Sequence, residues 1–180
     1  MPSKTPIFKI IAVVTTCAVI GFFVFFPAQL EKQTNLLHDS IVPVISEQAR
    51  TLHGQLFIGD WHSDTLLWKR DLMDKHDYGH VDIPRLQQGN VALQMFTTVT
   101  KSPDGLNYEG NSSDASDNIT KLALVSLWPT NTWNSLAERA LFQASKAREL
   151  VGEFPQQVSL ITSKTDLSEF IIQRQVNPQL

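Results

Sequence analysis

The chain opens on twenty residues with almost no polar interruption, Ile7–Phe26, "IFKIIAVVTTCAVIGFFVFF". Apolar residues occupy every face of the helix such a run would form, which marks a membrane-spanning segment rather than an amphipathic surface helix. Twenty helical residues rise about 30 Å, close to the hydrocarbon thickness of a bilayer. The pattern then turns mixed. Val44, Ile45, Ala49, Leu52 and Leu56 recur at helical spacing and predict a helix that leads into Leu56–Asp60, a short apolar strand. Residues 65–80 are polar and irregular. "VDIPRLQQGN" predicts a short helix, with Pro84 in its first turn and Gly89 at its end. "VALQMFTTVT", Val91–Thr100, is the clearest strand in the chain, rich in β-branched and aromatic residues.

Residues 101–118 read as a loop, with sequons at Asn111 and Asn118 that require surface exposure. A short helix is predicted over Ile119–Trp128, closed by Pro129. Ser135 and Glu138 form a capping-box pair that opens a longer helix with Leu136, Ala140, Leu141, Ala144, Ala147 and Val151 on one side, ended by Gly152. "VSLIT", Val158–Thr162, predicts a third strand, and Ser163 or Thr165 caps a last helix reaching about Val176. Strands alternating with helices argue for an α/β fold with a parallel sheet, whose apolar strands are covered on both faces.

Charge supports this division. The net charge is −3, and two of the 15 basic residues fall in the first ten positions, leaving 13 against 18 acids, or −5, for the rest. Lys4 and Lys9 precede the apolar run and Glu31 is the first charge after it. The positive-inside rule then puts the N-terminus in the cytoplasm and everything beyond Pro27 on the periplasmic or extracytoplasmic side. A cleaved signal peptide is the competing reading. Its core would be shorter, and Phe26, two positions before the nearby small residue Ala28, is too bulky for the usual cleavage pattern. A mildly acidic body offers no footprint for nucleic acid. Cys17 is the one cysteine, so no intrachain disulfide forms, and it reads as a small apolar residue of the span.

Chemistry is concentrated in "GDWHSD", Gly59–Asp64. In an extended segment His62 and Asp64 point to the same side, so an imidazole and a carboxylate can share one cation. Asp60 has the same parity and could orient a ligand from behind. By spacing alone a hydrogen-bonded polar loop is the favoured explanation, and the position after a buried strand strengthens the metal reading without overtaking it. His76 and His80 have a zinc-compatible spacing, but Gly79 and the surrounding aspartates favour a solvated loop. His38 and His53 read as surface residues, and Trp61, Trp68, Trp128 and Trp133 as packing residues. No glycine-rich phosphate loop, nucleophile-elbow serine or cysteine-based zinc motif is present.

Three runs, "GDWHSDTLLWKRDL", "YGHVDIPRLQQGNVALQMFTTVTKSPDGLNYEGNS" and "DNITKLALVSLWPTNTWNSLAERALFQA", resemble the membrane dipeptidase family, the renal-type binuclear zinc dipeptidases, and its bacterial members most. The resemblance covers roughly residues 45–180. It implies the N-terminal portion of a (β/α)8 TIM-type barrel preceded by a single transmembrane helix. The implied division is a cytoplasmic stub and anchor over 1–26, a linker over 27–44, and an incomplete barrel over 45–180. It further implies two Zn2+ ions per complete site, with His62 and Asp64 as ligands of one, and a bridging glutamate and two histidines from later strands. The implied reaction is hydrolysis of a dipeptide by a metal-bound hydroxide that attacks the peptide carbonyl. Dipeptide substrate and lipid bilayer are the implied partners, and a homo-oligomer is compatible with the family.

Trp61 and Ser63 stand where the family more often has Gly and Asn. Neither position is a ligand, so the departure bears on the pocket wall. A complete barrel takes about 250 residues, whereas 154 follow Phe26 here. The expectation is therefore an N-terminal part, inactive alone, with its remaining ligands encoded past Leu180. Another binuclear hydrolase of amide or lactone bonds, and a non-catalytic membrane-anchored fragment, are the alternatives.

Overall fold

The computed structural model describes residues 5–38, 43–110 and 112–176. The sequon at Asn111 and the final "NPQL" lie outside them, as do Lys4 and part of the expected linker. Helix α1 (Thr5–Thr34) is followed by α2 (Glu47–Gln55), strand β1 (Ile58–Ser63) and a single 3₁₀ turn (Thr65–Leu67). Then come α3 (Ile83–Gln88), strand β2 (Val91–Phe96), α4 (Asn118–Val125), α5 (Leu136–Glu153) and α6 (Lys164–Val176).

α1 is long and apolar enough to cross a bilayer. It does not stop at Phe26, where the linker was expected, but runs two further turns through Pro27 to Thr34. Those turns have something to pack on. Pro27 and Glu31, one turn apart on the same face, are buried. Leu30 joins the core cluster of Leu67, Ile119, Leu122, Ala123 and Trp128. Beyond it, Lys32 pairs with Asp77 at 2.5 Å and Gly79 N–H donates to the Asn35 carbonyl at 2.8 Å. The segment read as linker is thus part of the packed body up to about residue 36.

The helix boundaries follow their caps. Ser46 accepts from Ala49 N–H, Asp82 from Arg85 N–H, Asp117 from Ile119 N–H and Ser135 from Glu138 N–H. Each pairs a side-chain oxygen with a backbone donor that the helix leaves free. Ser163, rather than Thr165, opens α6: its hydroxyl accepts from Asp166 N–H while Asp166 Oδ2 accepts from Ser163 N–H. Glu138 turns instead to Asn131, which donates to it at 2.6 Å, so the capping box at α5 is half closed.

β1 and β2 pair in parallel, as the alternation of strand and helix predicts. Their surroundings differ from expectation. β2 ends at Phe96, four residues early, because Val99 leaves the ladder for the α5 side chain of Gln143. The Gln143 amide accepts from Val99 N–H at 3.1 Å and donates to its carbonyl at 3.0 Å, standing in for a neighbouring strand. Val158–Thr162 is not a strand: it forms no ladder, and Leu160 is 45 % exposed. Among the described residues the sheet therefore has two strands, and both faces remain partly open rather than covered. The helical stripe around α2 is likewise uncovered, with Val44, Leu52 and Leu56 exposed. Residues 65–80, read as polar, contribute Leu66, Leu67 and Leu72 to the interior. Trp128 is buried, and Trp68 and Trp133 pack against the core, while Trp61 is 65 % exposed on the sheet.

Candidate metal site at the end of β1

β1 places His62 near its C-terminal end and Asp64 one residue past it. Their side chains converge, with Nε2 of His62 3.2 Å from Oδ2 of Asp64. Zinc bonds of about 2.0–2.2 Å at a tetrahedral angle set neighbouring donor atoms about 3.3 Å apart. The separation is that of a direct hydrogen bond between the two side chains, and it is also close to the spacing of two adjacent corners of a zinc site. Both side chains open to solvent, at 71 % and 41 % exposure, so a cation could reach them directly.

Simple strand alternation does not produce this convergence. The register runs Asp60 opposite Gln94 and Ser63 opposite Phe96, so β1 carries one residue more than β2 across the interval. Such an irregularity re-aims the side chains beside it. Asp64 has already left the extended region, with φ −89° and ψ 17°, and opens the 3₁₀ turn. The imidazole and carboxylate meet because the backbone turns under them. Asp60 meets the site through the backbone: its Oδ1 accepts from the His62 backbone N–H at 3.1 Å. It fixes the irregular segment that carries His62 and does not touch the imidazole.

Thr97 completes the local geometry, and nothing in the sequence reading singled it out from "FTTVT". Its N–H donates to the Ser63 carbonyl at 2.9 Å, carrying the parallel pairing one step past β2. Its hydroxyl donates to Asp64 Oδ1 at 2.5 Å. One carboxylate oxygen is thereby held by Thr97, and the other is left facing His62.

The turn after Asp64 is clamped from behind. Thr65 Oγ1 donates to the Val81 carbonyl and accepts from Arg70 Nη2 at 2.9 Å. Arg70 is itself almost fully buried. It forms ion pairs with Glu31 of α1 at 2.7 Å and with Asp82 at 3.4 Å, and its guanidinium also donates to the Val81 carbonyl. Asp82 additionally caps α3 and pairs with Arg85. Much of the "HVDIPRL" run that carries the family resemblance is thus a latch beneath the candidate site. Lys146 of α5 donates to the carbonyls of Leu66, at 2.6 Å, and of Trp68. Burial pushes its ammonium down to about 8 against the opposing pull of Glu31 and Glu149.

Further along the same strand direction, Arg139 of α5 lies buried. It donates to the carbonyls of Thr100, Thr132 and Trp133, to Thr120 Oγ1 and to the Asp117 carboxylate. Burial alone would raise the Asp117 pKa. Hydrogen bonds from Ser102 N–H, Arg139, Thr120 and Ile119 N–H outweigh it and hold the group at about 2.

His76 and His80 do not form a helical pair; both sit in irregular backbone, as the glycine between them predicts. Among the described residues, no group of three or more His, Cys, Asp or Glu side chains gathers at one point. The candidate site as placed here is His62 and Asp64, with Thr97 and Asp60 holding them. Comparison with known family profiles, with curated protein sequences and with solved structures finds no match.

Proposed function

We propose that this chain is the opening part of a membrane-anchored zinc dipeptidase of the renal-type family, with His62 and Asp64 as its first two metal ligands. The observation that carries the reading is the 3.2 Å approach of an imidazole nitrogen and a carboxylate oxygen at the C-terminal end of a parallel strand. Ligand sites of α/β barrels and open parallel sheets lie at that end. The sequence runs that resemble the family supply the rest: a (β/α)8 barrel, a bridging glutamate and two further histidines outside these 180 residues. The bound metal pair would polarise the dipeptide carbonyl and lower the pKa of the attacking water. The residues of this chain orient two of the ligands, Thr97 through the Asp64 carboxylate and Asp60 through the His62 backbone.

α1 is read as an uncleaved anchor, with the N-terminus in the cytoplasm and the body outside. The docking of Leu30 and Glu31 into the body supports retention of the helix. The complete enzyme is expected to hydrolyse dipeptides, to lose activity with chelator, and to lose it again on His62→Ala or Asp64→Ala. Residues 27–180 alone are expected to bind no stoichiometric zinc and to turn over no dipeptide, because two ligands hold zinc weakly. Chelator-resistant hydrolysis, or full activity of the His62→Ala enzyme, overturns the reading. A substrate panel of dipeptides, other amides and lactones separates it from a related binuclear hydrolase.

A further inference from the structure

The turn that ends α4 breaks two ordinary preferences at one residue. Trp128 N–H donates to the Ala123 carbonyl at 2.8 Å, closing the helix in a Schellman-type turn. The left-handed position of that turn normally takes glycine. Here it is Leu127, with φ 55°, a residue 56 % exposed. One turn earlier Leu124 is 40 % exposed. Immediately before and after them, Ala123 and Trp128 are buried in the core. A solvent-facing leucine in the left-handed region, beside a second exposed leucine, lies outside the core cluster of the described residues.

Their place in the fold suggests what covers them. α4 packs against α1, and the α1 residue that meets the core cluster is Leu30. The body's cover on α1 begins at the buried Pro27, directly after Phe26, the last residue of the apolar run. At 1.5 Å per residue, Leu30 stands only about 6 Å above the end of that run. A body that begins there meets the headgroup zone, and α4 packs against the helix there, as the 70–79 segment does through Arg70, Asp77 and Gly79.

We infer that Leu124 and Leu127 form a second membrane contact, an apolar turn seated in the interfacial region of the bilayer beside the α1 exit. This rests on α1 as the membrane span. Apolar side chains on a peripheral surface lodge at this depth, between headgroups and acyl chains.

The test uses the full chain in phosphatidylcholine–phosphatidylglycerol vesicles, with Cys17→Ala and single cysteines carrying an environment-sensitive fluorophore. The labelled variants are Leu127→Cys, Leu124→Cys, Val14→Cys within α1, and Leu160→Cys as an exposed leucine elsewhere on the body. Lipids brominated near the headgroup end of the acyl chain are expected to quench positions 127 and 124 about twofold and to leave 160 unchanged. Quenching at 14 with none at 124 and 127 overturns the second contact and leaves the anchor standing. Equal quenching at 160 also overturns it, since the contact would then be general. No quenching at any position removes the anchor and the contact together. Two sites are probed so that one poorly folding variant does not decide the outcome.

Discussion

Replacing Arg139 with Met tests whether α5 is tied to the segment after β2 and to the 101–118 loop by one buried cation. The substitution keeps a long apolar stem and removes the guanidinium. Five hydrogen bonds vanish, and the carbonyls of Thr100, Thr132 and Trp133 lose a donor inside the protein. Asp117, only 15 % exposed at its side chain, loses its counter-ion. It keeps Ser102 N–H, Ile119 N–H and Thr120 Oγ1. Deleting one partner of a buried pair costs about 3–5 kcal/mol, and each orphaned buried acceptor about 1–3 kcal/mol where water cannot reach it. Partial hydration brings the expected loss to about 4 kcal/mol, a large share of a typical 5–15 kcal/mol stability. Urea unfolding of the full chain in detergent micelles, followed by tryptophan fluorescence, reads this directly, because Trp133 donates to the Trp128 carbonyl next to the cluster. Adding Asp117→Asn should recover about 1–3 kcal/mol of the loss, the coupling expected of residues in one network. Arg139→Lys should recover less than half, since an ammonium cannot span all five acceptors. A loss below about 1 kcal/mol for Arg139→Met would refute the assignment of this cation as the tie between Thr100 beyond β2, the 101–118 loop, α4 and α5.

The remaining predictions concern the same scaffold. Asp117 has its folded pKa depressed to about 2 from 3.8, so its contribution is complete above pH 4 and disappears as pH falls towards 2. The unfolding free energy should drop by about 2 kcal/mol over that interval, and Asp117→Asn should flatten this part of the profile. Gly79→Ala puts a Cβ 2.7 Å from Cζ of the immobilised Arg70 at a φ of +80°. It should cost about 2–4 kcal/mol in a thermal melt, and a cost under 0.5 kcal/mol would show that Arg70 can move aside. Thr97→Val removes the hydroxyl on Asp64 with little change of shape. Under the proposed metal reading it should weaken metal binding about 10–100-fold while leaving the melting temperature nearly unchanged.

Local signals were the most legible part of the chain. Ser135, Ser163 and Pro84 marked helix starts and β2 stood out by apolar content, because caps and strand runs are decided by neighbours in sequence, whereas β1 forms at Ile58–Ser63, shifted from the expected Leu56–Asp60. Contacts across the fold were not legible. Nothing in "FTTVT" distinguishes Thr97, whose partner Asp64 is 33 residues away, and nothing in "AERALFQ" marks Arg139 and Gln143 as interior residues. Val158–Thr162 has the composition of a strand but no ladder in the described structure; composition describes a surface and does not supply a neighbour. The candidate site was half legible. The spacing of His62 and Asp64 suggested a shared cation, yet strand alternation was the wrong reason for their meeting. The turn at Asp64 and the extra residue in β1 bring them together, and both depend on tertiary partners.

The unbroken passage of α1 into the body has a mechanical consequence. A flexible tether would isolate a domain from the bilayer that holds it. Here the final turns of the helix are bolted in place by Leu30 in the core and by Glu31 on Arg70. Arg70 in turn clamps the turn that follows Asp64. Helices accommodate a thinner bilayer by tilting. With α1 as the span, such a tilt rotates the candidate site with it, as the head of a rigid mast follows its foot. Lipid thickness then sets the direction in which the mouth of the site faces.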